Sequence, residues 1–168
     1  MNNAGVQGAE FPNATEDYYD IAMDTNLKAC FFLSQLFGNY MVKQGIKGNI
    51  LNVCSSSSLR PAISAYTISK WGLRGLTLGL AKSLIPHGIV VNGIAPGATA
   101  TPMLNKTNAD DITYPYSPLG RLIMPEEIAN MAVFLVSETG RSIVGDIIYM
   151  TGGMGVITYD DINYNVFK

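Results

Sequence analysis

Apolar and polar positions recur along this chain in blocks that predict helices and strands in turn. Between residues 15 and 44, apolar side chains repeat at helical spacing, with a break predicted near Asp24. Thr15 is the predicted N-cap because its hydroxyl can accept a bond from the first turn. Phe31, Leu33, Leu36, Phe37, Tyr40 and Met41 supply a broad apolar face, and Gly45 and Gly48 end the segment.

The rest of the chain continues the alternation. Short apolar runs predict strands at 49–54, 89–94 and 146–151, with a fourth strand fragment beginning at Asn2. Helices are predicted over 65–84 and from Pro125 to about Ser137, while residues 101–113 are predicted to be irregular. Largely apolar strands that alternate with helices are typical of an α/β fold around a buried parallel sheet.

Composition narrows the class of protein. Of the 168 residues, 48% are hydrophobic and only 14% are charged, against the usual quarter. A net charge of −2 without a basic cluster argues against nucleic acid as a partner. No apolar stretch reaches the length of a membrane span, and no metal-ligand spacing occurs, so neither a membrane nor a metal site is expected. With no signal peptide ahead of the first motif, Cys30 and Cys54 are predicted to be free thiols in the cytoplasm.

Three residues carry the clearest chemical signal. Tyr66 and Lys70 lie four positions apart in a predicted helix and therefore share one face. An unperturbed phenol ionises near pH ~10, and an ammonium beside it favours the phenolate that proton transfer needs. Ser55 follows a predicted strand, and functional groups collect at the carboxyl ends of parallel strands. We therefore expect Ser55, Tyr66 and Lys70 to form an acid–base site.

Further motifs stand in order along the chain. Asn2-Asn3-Ala4-Gly5 opens it, Asn26 precedes Tyr66 by forty residues, and Pro96-Gly97 with Thr99 and Thr101 follows the strand at 89–94. Gly120-Arg121, 125–129 and Gly152-Gly153 come later. With the Ser-Tyr-Lys set, this ordered series resembles the short-chain dehydrogenase/reductase family in its Rossmann-type form, over essentially the whole chain.

The resemblance implies a role for each catalytic position. Tyr66 would exchange a proton with the substrate oxygen while hydride moves to or from NAD or NADP, and Ser55 would orient that oxygen. Lys70 would bind the nicotinamide ribose and favour the Tyr66 phenolate, and Asn26 would hold a water that links Lys70 to solvent. Because Ser55 lies closer to Tyr66 in sequence than is common in the family, a trimmed loop is expected between them.

The resemblance also implies a cofactor surface and an assembly. Thr99 and Thr101 would contact the carboxamide and pyrophosphate, after a turn at Pro96-Gly97. Asn3, Ala4 and Gly5 would border the adenosine side, in a site that also includes Tyr66 and Lys70. A small alcohol or carbonyl compound is the expected substrate, 3-oxoacyl or sugar and polyol in type, and the protein is expected to be a homodimer or homotetramer.

One family element is not found. No Gly-x-Gly-x-x-Gly followed by a helical pattern occurs in the sequence, and the glycines near 152–155 predict a turn. The expected fold is thus part of a doubly wound parallel sheet, with residues 1–168 forming a single truncated domain, the catalytic half of the family fold.

Two other interpretations stay open at this point. The chain could be a non-catalytic remnant that acts only in subunit association. Alternatively, Ser55 or the adjoining Cys54 could be the nucleophile of a hydrolase, although the single histidine, His87, sits in a predicted turn far along the chain.

Overall fold

The computed structural model describes residues 1–8, 10–104 and 111–156, and it alternates helices with strands as predicted. The helices are α1 (Glu16–Met23), α2 (Ala29–Gln44), α3 (Ala65–Leu84) and α4 (Pro125–Val136). The strands are β1 (Asn49–Val53), β2 (Val90–Pro96) and β3 (Ile147–Met150). Short 3₁₀ turns occupy Ser56–Leu59, Ile85–His87 and Pro102–Leu104.

The three strands form one parallel sheet in the order β1-β2-β3. The prediction of a fourth strand at Asn2 is wrong, because Asn2 makes only a single parallel bridge, to Asn52, within the described residues. The Asn2 amide donates to the Leu51 carbonyl at 2.8 Å, and the Asn2 carbonyl accepts a bond of 2.9 Å from the Val53 amide. Four residues farther along, the amide and carbonyl of Val6 are both bonded by the side chain of Asn26.

Helices cover both faces of the sheet, which confirms the doubly wound α/β class. Successive residues of a strand point to opposite faces. Ile50 accordingly packs in a cluster with Ala81 of α3, whereas Leu51 packs with Leu135 of α4. The connections β1-α3-β2 and β2-α4-β3 advance across the sheet in the same direction, but their helices lie on opposite faces. The two crossovers therefore have opposite hands. One of them follows the usual right-handed rule for parallel strands and the other does not.

The break predicted near Asp24 is a π-helical turn, Asp24–Lys28, that joins α1 to α2 without ending the helical path. Thr15 caps α1 as predicted, since its hydroxyl accepts a bond of 3.4 Å from the Tyr18 amide. Gly45 ends α2 with φ of 66°, a left-handed conformation that glycine adopts without strain.

The apolar face of α2 points away from the core. Toward the core, α2 buries only the small residues Cys30, Ser34 and Gly38. Most of its large apolar side chains are exposed in the single chain, among them Leu36 at 62% and Phe37 at 55%. We call the exposed residues Phe31, Phe32, Leu33, Leu36, Phe37 and Tyr40 the α2 apolar face.

The start of α4 is fixed by a charged pair. Both terminal nitrogens of Arg121 donate to the Glu127 carboxylate, at 2.8 and 2.9 Å, and the Met124 amide donates to it at 2.7 Å. These bonds, with the guanidinium beside it, lower the pKa of Glu127 to about 2. The carboxylate therefore stays ionised at neutral pH and holds the turn that leads into α4.

Replacement of Leu73 by alanine tests where the core lies. Leu73 is fully buried on α3, in one cluster with Cys30, Cys54, Ala95 and Ile147. We expect Leu73→Ala to lower the free energy of unfolding by ~2–5 kcal/mol, because it removes buried methyl groups and leaves a cavity. Leu78→Ala on the same helix is the matched control, since Leu78 is 45% exposed in the single chain. Equal loss from both variants in urea denaturation would contradict this packing.

Candidate active site

A cleft of about 950 Å³ opens at the carboxyl ends of β1 and β2. Ten residues singled out in the sequence line it: Asn3, Ala4, Gly5, Ser55, Tyr66, Lys70, Pro96, Gly97, Thr99 and Thr101. They come from the first residues of the chain, the segment after β1, the first turn and a half of α3, and the loop that begins at the end of β2. The parallel sheet thus gathers distant segments at one edge.

Tyr66 and Lys70 face the cleft from the start of α3. Ser64 caps this helix by accepting a bond of 3.2 Å from the Thr67 amide, which fixes where the first turn begins. The Lys70 ammonium nitrogen lies 5.7 Å from the centre of the Tyr66 ring. The helix therefore brings the cation and the phenol together as the spacing of four residues predicts.

Lys70 is buried, with 4% of its surface exposed. Burial lowers its pKa below the ordinary lysine value, because desolvation disfavours the charged form. Its nitrogen donates one bond of 2.8 Å to the carbonyl of Val53, the last residue of β1. This bond anchors the amine at the strand end.

Ser55 begins the 3₁₀ turn after β1 and is almost fully buried. Its hydroxyl oxygen accepts a bond of 3.1 Å from the Ser57 amide, and its carbonyl accepts one of 2.8 Å from the Ser58 hydroxyl. The turn thereby fixes the Ser55 side chain, whose own proton can still be donated to a substrate oxygen. The short loop to Tyr66 does not remove Ser55 from the cleft.

Asn26 sits behind the cleft, in the π-helical turn, and is fully buried. Its amide is committed to three protein groups: Val6 N–H at 2.8 Å, Val6 C=O at 2.9 Å and the Ser69 hydroxyl at 3.1 Å. The side chain therefore ties α1–α2 to the first segment of the chain and to α3. Nothing in the sequence pattern identified Val6 and Ser69 as its partners.

Gly5 lies between Asn26 and Lys70. A Cβ atom at Gly5 would be 3.5 Å from Oδ1 of Asn26 and 3.7 Å from the Lys70 nitrogen. Glycine at this position keeps the backbone close to both groups and leaves the space above Lys70 open to the cleft.

The loop after β2 forms another wall. A Cβ atom at Gly97 would lie only 2.8 Å from the Cα of Thr151, so the two backbones approach too closely for any side chain. The Thr99 hydroxyl donates to the Gly97 carbonyl at 3.0 Å, and the Thr101 hydroxyl donates to the Thr99 carbonyl at 3.4 Å. Both threonines therefore shape their own loop in addition to lining the cleft.

Sequence reasoning missed part of the lining. Arg60, Met103, Leu104, Tyr114 and Met154 also face the cleft, and none of them belongs to a motif that marked them in advance. The helix α4 contributes Pro125, Ile128, Ala129 and Ala132, whose spacing of three and four residues was a readable signal of one helical face.

The groups of the hydrolase interpretation are not assembled. Cys54 and Cys30 are free, buried thiols whose pKa values are raised by burial, which favours the neutral thiol over the nucleophilic thiolate. His87 lies in the turn after α3 and does not line the cleft that holds Ser55. Within the described residues, no cluster of three or more potential metal ligands occurs, and no helix combines the length and apolarity of a bilayer span.

Comparison with known proteins agrees with the geometry. The family model described as enoyl-(acyl carrier protein) reductase matches residues 1–155. Gluconate 5-dehydrogenase of Gluconobacter oxydans is 36% identical over 163 residues, which span 93% of this chain and 63% of that protein. The 3-oxoacyl-[acyl-carrier-protein] reductase of Thermotoga maritima is 36% identical over 159 residues, 92% of this chain and 64% of that protein.

A solved structure of a dehydrogenase also resembles this chain. That of 4-hydroxyisoleucine dehydrogenase complexed with NADH superposes with a TM-score of 0.82 and 28% identity, over 90% of this chain and 65% of that one. The chain thus spans less than two thirds of the length of these relatives.

Proposed function

Because the chain belongs to the short-chain dehydrogenase/reductase family, we propose that it carries the acid–base half of an oxidoreductase acting on alcohols and carbonyls. The observation that carries this proposal is the convergence of Ser55, Tyr66 and Lys70 on one cleft. In this proposal residues 1–168 are a single unit, the catalytic part of a family domain whose glycine-rich phosphate loop is not among them.

NAD or NADP is the cofactor that family membership implies, and the residues present fit its nicotinamide side. When bound, a nicotinamide supplies or accepts a hydride. Gly5 and Gly97 both line the cleft, and the buried Lys70 amine lies beside Gly5. In the proposal Lys70 binds ribose hydroxyls, while Thr99 and Thr101 reach the carboxamide and pyrophosphate. Asn3, Ala4 and Pro96 complete this surface.

The proton follows a path set by the chain's own residues. Tyr66 gives its phenolic proton to the substrate oxygen during reduction and takes it back during oxidation. Ser55 donates a hydrogen bond to the same oxygen and so holds it near Tyr66. The Lys70 ammonium, 5.7 Å from the Tyr66 ring, stabilises the negative charge that forms there. In the proposal Asn26 holds a water that links Lys70 to solvent, while its side chain binds the Val6 backbone and the Ser69 hydroxyl.

For substrate, we propose a small alcohol or carbonyl compound of the 3-oxoacyl type or of the sugar and polyol type. These are the classes named for the relatives above. We also propose a cytoplasmic location and assembly into a homodimer or homotetramer. The α2 apolar face is the observation that supports assembly. It also supports a second candidate function, that of a non-catalytic protein that acts only in subunit association.

Turnover decides between the two candidates. A fusion that places the phosphate-binding half of a family member ahead of Met1 would be assayed with NAD⁺ and NADP⁺ against gluconate, glucitol and butanediol, and with NADH and NADPH against a 3-oxoacyl thioester. Absorbance of the reduced nicotinamide reports turnover. Redox activity that Tyr66→Phe removes supports the oxidoreductase; a folded, oligomeric fusion with no activity supports the association role.

The chain by itself is expected to bind NADH and NADPH weakly or not at all. The main anion site of such folds is a glycine-rich turn at a helix N-terminus, and the sequence contains no such turn. Isothermal titration calorimetry of the 168-residue chain against the fusion makes the comparison. Micromolar binding by the chain alone would show that the nicotinamide-side residues suffice.

A further inference from the structure

Arg60 lines the cleft but has no part in the proton transfer or the cofactor binding proposed above. It directly follows the 3₁₀ turn that begins after Ser55, and it lines the cleft together with Ser55 and Tyr66. Among the described residues that line the cleft, those with charged side chains are Glu10, Arg60 and Lys70. Since Lys70 is buried against the Val53 carbonyl, Arg60 is the exposed cationic side chain of this set.

Arg60 is anchored by its backbone and by its side chain. Its backbone N–H donates to the Ser57 carbonyl at 3.4 Å, and its carbonyl accepts a bond of 2.9 Å from the Trp71 indole on α3. One terminal guanidinium nitrogen donates to the Ser57 hydroxyl at 3.1 Å. The guanidinium is therefore held at the end of the cleft where Ser55 lies.

No carboxylate of the described residues neutralises the charge of this guanidinium. Ion pairs within the described residues join Lys28 to Asp24, Arg121 to Glu127 and Arg141 to Glu138, and Arg60 takes part in none of them. A guanidinium presents planar, paired N–H donors that match the two oxygens of a carboxylate. An anchored arginine beside the acid–base groups is suited to hold an anionic end of the substrate.

We propose that Arg60, with the Ser57 hydroxyl, forms a subsite for the carboxylate of a small hydroxy or oxo acid. The proposal rests on the proposed function and narrows it, because it favours sugar acids and related hydroxy acids over neutral polyols and diols. The carboxylate is bound by Arg60 while the reacting oxygen lies with Ser55 and Tyr66, so the distance between the two groups of the substrate selects which hydroxyl reacts.

The test compares ligands that differ only at the carboxylate. D-gluconate and D-glucitol share five hydroxylated carbons and differ in a carboxylate against a CH₂OH group. We expect ligand-observed NMR titrations of the 168-residue chain to show gluconate binding about tenfold or more tightly than glucitol. Arg60→Gln should weaken gluconate by about the same factor and leave glucitol unchanged. Arg60→Lys should keep part of the preference, because it retains the charge without the paired donors.

Lys82→Gln is the matched control, since it removes one positive charge from an exposed position at the far end of α3. Circular dichroism melting checks that Arg60→Gln leaves the fold intact. Ser57→Ala removes the anchoring hydroxyl alone and should weaken gluconate binding less than Arg60→Gln does. Equal binding of gluconate and glucitol, or an equal effect of Lys82→Gln and Arg60→Gln, would overturn the proposal. Inorganic phosphate that binds as tightly as gluconate would also overturn it, by indicating a general anion site.

The outcome is separable from that of the proposed function, because binding needs neither cofactor nor turnover. An inactive fusion with Arg60-dependent gluconate binding would refute the oxidoreductase and keep the carboxylate subsite. An active fusion that prefers glucitol would keep the oxidoreductase and refute the subsite.

Discussion

Tyr66→Phe is expected to lower turnover of the fusion protein by about 100-fold or more, while its affinity for NADH changes little. The substitution removes one oxygen atom and leaves the ring beside Lys70, so the cleft keeps its shape. Its only expected loss is the proton that Tyr66 exchanges with the substrate. Steady-state kinetics together with calorimetric titration of NADH would measure the two quantities, and retention of more than a tenth of the wild-type turnover would show that another group is the acid and base.

Lys70→Ala provides the contrast. The Lys70 amine lies beside Tyr66 and also occupies the point where the ribose hydroxyls are proposed to bind. Its removal should therefore reduce turnover and NADH affinity together. Lys82→Ala, at an exposed site on the same helix, should change neither. An unchanged NADH affinity in Lys70→Ala would restrict Lys70 to a role in proton transfer.

The sequence predicted the elements well where a local signal determines them. The limits of α3 and the cap at Thr15 follow from residues that act within one turn, and both are confirmed. The positions of Ser55, Tyr66 and Lys70 in one cleft follow from two rules, the helical period and the carboxyl ends of parallel strands.

What the sequence could not predict depends on partners distant along the chain. The first segment pairs with β1 at Asn2, and the backbone of Val6 is bonded instead by the side chain of Asn26, twenty residues farther along. The same amide also donates to the Ser69 hydroxyl, 43 residues away, whereas the water that Asn26 is predicted to hold stays a prediction. Arg60 is held by Ser57, three residues before it in a turn, and by Trp71 of α3, and no signal in the sequence marked the Trp71 contact in advance.

The apolar periodicity of residues 15–44 is compatible with a helical face that packs on the core or with one that lies on the surface. The period identifies a helical face, but not whether a core or another molecule covers it. In α2 the core side is lined by Cys30, Ser34 and Gly38, and these small residues allow close packing that a pattern of large apolar residues does not reveal. Gly38 lies against Leu84 of α3, where a Cβ atom would come within 3.4 Å of that side chain. The larger side chains are thereby left exposed in the single chain.

The chain is accordingly expected to associate rather than to remain a monomer. The α2 apolar face exposes several large side chains on one helix, and contiguous apolar surface of this kind marks an association site. Within the part of the chain that the structure describes, the outer edge of β1 is paired only at Asn2, which leaves further backbone groups able to template contacts. Sedimentation velocity at tens of micromolar, ~10–50 μM, should show dimers, tetramers or larger species.

Charged substitutions on the α2 apolar face distinguish specific assembly through this face from nonspecific association. Leu36→Glu combined with Phe37→Lys should shift the boundary toward the monomer, because two charged groups cannot be buried in an apolar interface without a large cost. Tyr116→Glu is the control, since Tyr116 is 79% exposed in the loop before α4 and lies outside this face. If the chain sediments as a sharp monomer boundary and unfolds cooperatively on heating, it closes its core alone and the α2 apolar face is not an interface. If both variants disperse the assembly equally, association does not depend on α2, and the edge of β1 becomes the surface to alter next.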